Sequence, residues 1–304
     1  MLENGQIIFK KAEDGRKLRI AIWKANTKRA LGTVFFLNGH REFIEKYSGT
    51  FEFFIKKGFN VSTLDWRGWG LSDRPFPSRP KIQHISSAEE YQLDLDTLIG
   101  LAKKKKLTTP WYLVAHSLGC LIGLRRLTSE PQSFDKYIFL SPLWGNFPYI
   151  ARPIQRLVIK FEKALRFLGL IMFTQQNPEK YKPYSLTTDF KTNTLTSDKN
   201  QFNRLQTILK ENHELHSGTP TLGYVIAILK EIEALNLAKI PNRKILVLLA
   251  GKEQITDNVS VMQSIHRYAF INTATINKAQ HEILIEKEEI RQEALSLIHE
   301  FLKS

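Results

Sequence analysis

The chain repeatedly sets a short apolar run before a helical pattern, and few folds accommodate that order. Thr33–Leu37 (TVFFL), Phe59–Leu64, Trp111–Ala115, Asp135–Leu140, Lys244–Leu249 (KILVLL) and Phe270–Ile276 read as strands. TVFFL is apolar on both faces, as a strand buried between two helix layers must be. Helical patterns follow at Glu42–Lys57, Leu118–Thr128, Asp257–Tyr268 and Glu286–Leu302. Another begins after Ser86 and Ser87, which form a capping-box pattern with Glu89 and Glu90. It carries Tyr91, Leu95, Leu98 and Ala102 on one face and ends in Lys103–Lys106, which suits its negative end. The alternation predicts an α/β fold with a mostly parallel sheet and right-handed crossovers. A hairpin precedes it, Gln6–Lys10 and Leu18–Trp23 about an Asp14-Gly15 turn.

Between Leu143 and Ile232 the alternation stops, and the segment reads as mainly helical with Pro and Asn interruptions. The expected organisation is one α/β core, residues 1–142 and 233–304, with a helical cap insertion at 143–232. A composition of 42% hydrophobic and 24% charged residues is globular. The single cysteine, Cys120, excludes an intramolecular disulfide and a CxxC metal site. The N-terminal stretch lacks a signal-peptide pattern, and no run approaches the roughly 18 apolar residues of a membrane span. A net charge of +14 suits either an anionic partner or a lysine-rich solvated surface. With no zinc-finger spacing, RNP-type run or phosphate-binding loop, no nucleic-acid partner is expected.

The chemistry is legible at Ala115-His116-Ser117-Leu118-Gly119, set between an apolar strand and a helix. This is the context of a nucleophile elbow, in which a sharp turn lifts a serine hydroxyl above the sheet. The general pattern is G-x-S-x-G, and Ala115 stands where the first glycine belongs. In this chain order an acid follows a late strand and a histidine follows the last one. His281 lies in the loop after the strand ending near Ile276, whereas His266 and His299 fall within helical patterns. His281 is therefore the expected base for Ser117. Glu253 sits at the turn after KILVLL and is the preferred acid. Asp257 is the alternative, its other role being a helix N-cap. The backbone N–H groups of His40 and Leu118 are the expected oxyanion donors. His40 itself precedes the nucleophile, so a structural or substrate-facing role is expected for its ring.

Taken in order, NGHREFIEKY (38–47), LDWRGWGLSDR (64–74), AHSLG (115–119), AGKEQITD (250–257) and AQHEIL (279–284) resemble one family. It is the α/β-hydrolases of the bacterial lysophospholipase and monoacylglycerol lipase type, within the serine-aminopeptidase-like group. The resemblance runs from about residue 15 to the C-terminus, and NTLTSDKNQFNR (193–204) with GTPTLGY (218–224) is similar to the lysophospholipase cap. It implies an α/β-hydrolase fold and a triad of Ser117, Glu253 and His281. It also implies a structural role for Asp65, Arg67, Gly68 and Gly70.

The expected function is a serine carboxylic-ester hydrolase releasing a fatty acid from a lysophospholipid or monoacylglycerol, with no metal or organic cofactor. Two alternatives stay open: an aminopeptidase-like amide hydrolase on the same triad, and a non-catalytic binding protein. Arg152, Arg156, Lys160, Lys163 and Arg166 alternate with Ile154, Leu157, Val158, Phe161, Leu165 and Leu168, and Leu170–Phe173 extend the apolar surface. Such a basic amphipathic helix either lids the site or lies on an anionic membrane. The expected setting is cytoplasmic, with peripheral contact at the inner face of the membrane.

Overall fold

The computed structural model describes residues 5–145 and 151–304. Residues 1–4, in the expected core, and 146–150, in the expected insertion, lie outside the described residues. An eight-stranded sheet organises the rest. Its strands are β1 Gln6–Lys11, β2 Lys17–Trp23, β3 Thr33–Leu37, β4 Asn60–Leu64, β5 Trp111–His116, β6 Lys136–Leu140, β7 Lys244–Ala250 and β8 Ile271–Ile276. Their spatial order is β1-β2-β4-β3-β5-β6-β7-β8. The β1–β2 and β2–β4 pairs are antiparallel and all other neighbours parallel, so β2 alone runs against the sheet.

Helices cover both faces because the central strands are apolar on both. Phe35 and Leu37 of β3 enter one core, while Val34 and Phe36 enter the other. The first core includes residues of α2 (Glu89–Lys104) and α3 (Leu118–Ser129), and the second includes residues of α1 (Ser48–Lys56). The helix expected from Glu42 begins later, with a 3₁₀ turn at Ile44–Tyr47 before α1. Glu42 is instead buried, and its carboxylate takes the Gly39 N–H. At α2 the N-cap position falls on Ala88, not on a serine. Ser87 Oγ still accepts the Glu89 N–H (3.1 Å), and Glu90 accepts the Ser86 N–H (2.6 Å).

After β6 come α4 (Arg152–Lys160), α5 (Glu162–Phe167), α6 (Tyr184–Thr187), α7 (Lys199–Glu211) and α8 (Leu222–Leu237). The insertion boundary expected at 232 falls inside α8, which runs on to Leu237 against the core. Arg125 of α3 and Glu231 of α8 form a two-pronged ion pair at 2.6 Å, so this helix is fastened to the sheet layer. The single amphipathic helix expected from Arg152 breaks at Phe161, which closes α4 and opens α5. Past β7, α9 (Asn258–Ile265) and α10 (Glu288–Lys303) complete the chain, and α10 packs into the second core.

Candidate active site

β5 runs one residue further than its apolar pattern, through His116, and delivers Ser117 into a tight turn before α3. Ser117 adopts φ 51° and ψ −115°, a conformation that costs an L-residue of order 1–3 kcal/mol and persists only when its surroundings impose it. They do so here. The Ser117 N–H donates to the Leu140 carbonyl (3.0 Å), and the Ser117 carbonyl accepts from Cys120 (3.0 Å) and Leu143 (3.2 Å). Gly119 is required by proximity, since a Cβ there would sit 2.3 Å from the Leu37 carbonyl oxygen. The methyl of Ala115 is accommodated in the core.

The loop after β7 places Glu253 against His281. The Glu253 carboxylate accepts the His281 Nδ1–H at 2.8 and 2.9 Å. It also accepts the backbone N–H groups of Gln254, Ile255 and Thr256 at 3.0, 2.7 and 3.1 Å. Burial alone would raise this carboxyl. The His281 bond and charge, then the Ile255 and Thr256 donors, outweigh it and hold it at about 2. An imidazole whose Nδ1 proton is held in this way keeps its Nε2 lone pair for accepting a proton. Asp257 caps α9, accepting from Ser260 N–H (3.1 Å) and Ser260 Oγ–H (2.5 Å). His266 closes α9, its Nδ1 2.7 Å from the Gln263 carbonyl, and His299 lies in α10.

Behind the histidine lies a buried polar cluster whose members are scattered along the sequence. The His281 carbonyl accepts from Ser141 Oγ–H (2.8 Å) and from His116 Nε2–H (3.2 Å). On its other side, His116 Nδ1 faces Tyr47 Oη (3.0 Å) and Glu42 Oε1 (3.1 Å). Lys46 bridges Glu42 (2.7 Å) and Glu282, the residue next to His281. Burial would lower His116, but the charge and hydrogen bond of Glu42 outweigh it and raise its pKa. Burial likewise opposes the Glu42 carboxylate, and Lys46 and His116 overcome it, pulling its pKa well down. The only linear signal was the Glu42/Lys46 spacing of four, which also fits a solvated surface pair.

Ser117 and His281 line one cavity of about 370 Å³, together with His40, Arg41, Tyr181 and Ile255. Its cap-side wall includes Leu205, Leu209 and Leu215, which cluster with Phe43. His40 lines this cavity, and Leu118 follows Ser117 where the start of α3 packs against the end of β3. Among the described residues neither the His40 nor the Leu118 N–H is taken by an acceptor within the protein. Asn38 sets the β3 turn, donating from Nδ2 to the Leu64 carbonyl (2.9 Å) and accepting from Trp66 Nε1–H (3.0 Å). The His40 ring meets Trp69 edge-on (80° between planes), lies tilted against Tyr224, and hydrogen-bonds Gln83 at 3.1 Å. Burial, then the charge of Arg41, pushes it down to about 3, so it is a neutral wall of the cavity.

Asp65 and Arg67 fasten the loop below. Asp65 accepts the Ile44 and Leu71 N–H groups, both at 2.9 Å, and pairs with Arg19 at 3.0 Å. Arg67 pairs with Asp14, Glu90 and Asp94 at 2.6 to 2.9 Å.

Comparison with known proteins gives the family and the fold. The family model described as serine aminopeptidase, S33, matches residues 28–288. The chain is 28% identical over 273 residues to the probable lysophospholipase L2 of Haemophilus influenzae, covering 88% of this chain and 82% of that protein. It is 25% identical to lysophospholipase L2 of Escherichia coli K12, with 80% and 72% covered. A soluble variant of monoglyceride lipase from Saccharomyces cerevisiae superposes with a TM-score of 0.76 at 16% identity, over 99% of this chain and 96% of that one. The monoacylglycerol lipase of Paleococcus ferrophilus gives 0.70 at 19% identity, over 94% and 98%. A serine held at an elbow, a histidine met by a carboxylate, this strand order and the family match lead to one conclusion: the chain belongs to the serine aminopeptidase S33 family and is a serine hydrolase of the α/β-hydrolase fold.

Proposed function

We propose that the protein hydrolyses the acyl ester of a single-chain glycerolipid, a lysophospholipid or monoacylglycerol, to a free fatty acid. The observation that carries this reading is the Glu253 carboxylate on His281 Nδ1, with His281 and Ser117 opening onto one cavity. His281 Nε2 removes the Ser117 proton as Oγ attacks the ester carbonyl carbon. The tetrahedral oxyanion accepts from the His40 and Leu118 N–H groups. Collapse breaks the ester C–O bond, and the imidazolium returns its proton to the departing glyceryl oxygen. Water repeats the sequence on the acyl-enzyme, releasing the fatty acid and restoring Ser117. Glu253 stabilises the transient imidazolium and keeps its tautomer. Acyl-chain hydrolysis suits the Phe43, Leu205, Leu209 and Leu215 surface. It also suits the lysophospholipase names of the relatives.

Aminopeptidase action fits less well. An N-terminal amine needs a carboxylate in the cavity, and the two that line it, Glu42 and Glu282, are both held by Lys46.

The cap segment 152–237 is part of the same reading. On α4 and α5, Ile154, Leu157 and Phe161 are about half exposed, and Phe167 is 91% exposed. Arg152, Arg156, Lys160, Lys163 and Arg166 are exposed around them. No helix among the described residues is long and apolar enough to cross a membrane. The reading is reversible docking of this face on an anionic bilayer, at the inner face of the membrane, where the lipid substrate resides. Each basic residue near such a surface contributes about 1 kcal/mol, weakened by salt.

The test is a panel of lysophospholipids, monoacylglycerols and aminoacyl anilides, assayed with wild type and Ser117→Ala. Fatty-acid release by wild type alone is expected. Turnover confined to the anilides would overturn the ester reading.

A further inference from the structure

The cavity contains a cation that the hydrolytic chemistry does not use. Arg41 follows His40 directly and stands in the left-handed region, φ 62°, which is rare for a residue other than glycine and clusters at functional sites. Its guanidinium lies 5.0 Å from the centroid of the Tyr181 ring, at the junction of core and cap. Its Nε is buried without a hydrogen-bond partner. Among the described residues Arg41 forms no ion pair.

Three buried cations of the core are matched. Lys46 has Glu42 and Glu282, Arg19 has Glu45 and Asp65, and Arg67 has Asp14, Glu90 and Asp94. A partly desolvated guanidinium left unpaired is costly unless a ligand supplies the anion. The carboxylates lining the cavity do not supply it, because Lys46 bridges both and His116 takes Glu42 from behind. The Arg41 charge is felt along the wall, where it helps to depress the His40 imidazole and counteracts the effect of burial on Tyr181 and Tyr224.

We propose that Arg41 binds the phosphate of a lysophospholipid headgroup and so selects phosphodiester-bearing esters over neutral monoacylglycerols. A guanidinium presents parallel N–H donors that match two phosphate oxygens, and among the described residues Arg41 Nε has no partner. In the substrate a glycerol unit separates ester from phosphate. In the protein, Arg41 is the residue after His40, whose N–H is assigned to the ester oxyanion. A monoacylglycerol brings no anion and leaves the guanidinium unmatched. The proposal rests on the Ser117 reading above and narrows its substrate.

The experiment compares wild type, Arg41→Gln and Arg41→Lys on a lysophosphatidylethanolamine and a monoacylglycerol of the same acyl chain. The readout is the ratio of the two kcat/KM values. Loss of a charged hydrogen bond predicts a fall in that ratio of about 10- to 100-fold in Arg41→Gln. Arg41→Lys keeps the charge but not the fork, and its ratio falls by less. Glycerophosphoethanolamine is expected to compete at least about tenfold more weakly against Arg41→Gln than against wild type. Inorganic phosphate distinguishes a headgroup site from a general anion site, and competition equal to that of glycerophosphoethanolamine would overturn headgroup selection. An unchanged ratio in both folded variants would overturn the proposal. Failure of wild type to react with a fluorophosphonate at Ser117 would instead remove the reading on which it rests.

Discussion

Replacing Glu253 by glutamine removes one negative charge from His281 while keeping the shape of the side chain. The wild-type carboxylate is 2% exposed, and its pKa lies at about 2 against a usual 4.5. That depression corresponds to a net preference for the charged form of about 3 kcal/mol. Part of it belongs to the Ile255 and Thr256 N–H groups, which a glutamine Oε1 still accepts. The part lost is the bond to the imidazole, a charged hydrogen bond of about 1.5–3 kcal/mol, or roughly 10- to 150-fold in rate. A glutamine amide facing Nδ1 also favours the wrong imidazole tautomer, and the analogous change in a serine protease costs about 10⁴ in kcat. The expected fall in kcat therefore lies between about 10 and 10⁴. The assay is steady-state hydrolysis of a short-chain aryl ester, with thermal unfolding to show that the variant folds. Asp257→Asn is the control, because asparagine caps a helix about as well as aspartate. A folded Glu253→Gln enzyme within tenfold of wild type, or a larger loss in Asp257→Asn, would refute the assignment of the acid.

Other consequences can be measured directly. Gly119→Ala pushes a methyl group into the Leu37 and Asn38 carbonyls, at 2.3 and 2.7 Å, so a loss of about 1–3 kcal/mol in urea unfolding is expected, together with reduced kcat from a displaced Leu118 N–H. Glu253 has a depressed pKa, so its contribution to stability is full above about 4.5 and disappears as the pH falls toward 2. Glu253→Gln should accordingly flatten the loss of stability over that acid interval, and parallel curves for the two proteins would contradict it. Changing Phe167 and Phe173, which are 91% and 64% exposed, to serine should weaken sedimentation with anionic vesicles and leave thermal unfolding unchanged. Equal vesicle binding would mark the face as an ordinary lid surface.

Much of this architecture was legible because its signals are local. TVFFL, WYLVA and KILVLL each announce a strand within a few residues, and the AHSLG turn requires only a strand before it and a helix after it. The positions of Glu253 and His281 after late strands single them out, and the structure brings their side chains together at 2.8 Å. The Glu42, Lys46, His116 and Glu282 cluster is not singled out in this way, because it joins segments distant in sequence that only the sheet order brings together. In the sequence Glu42 simply opens the helical pattern Glu42–Lys57, whereas in the fold its carboxylate turns inward to the Gly39 N–H and His116. The capping box at Ser86 and Ser87 was placed near its true position, but the helix itself starts one residue later, beyond Ala88. On the cap, the periodicity ran unbroken through Phe161, where the chain in fact ends one helix and begins the next. Hydrophobic spacing carries no record of such a break when both helices present the same face.

The central claim is that Ser117, activated by His281, is the nucleophile. The most direct measurement is reaction with a fluorophosphonate probe followed by peptide mapping of the modified residue. A single adduct on the peptide containing Ser117 is expected, with no adduct in Ser117→Ala and labelling slowed by orders of magnitude in His281→Ala. An adduct on another residue, or ester turnover persisting in a folded Ser117→Ala protein, would contradict it.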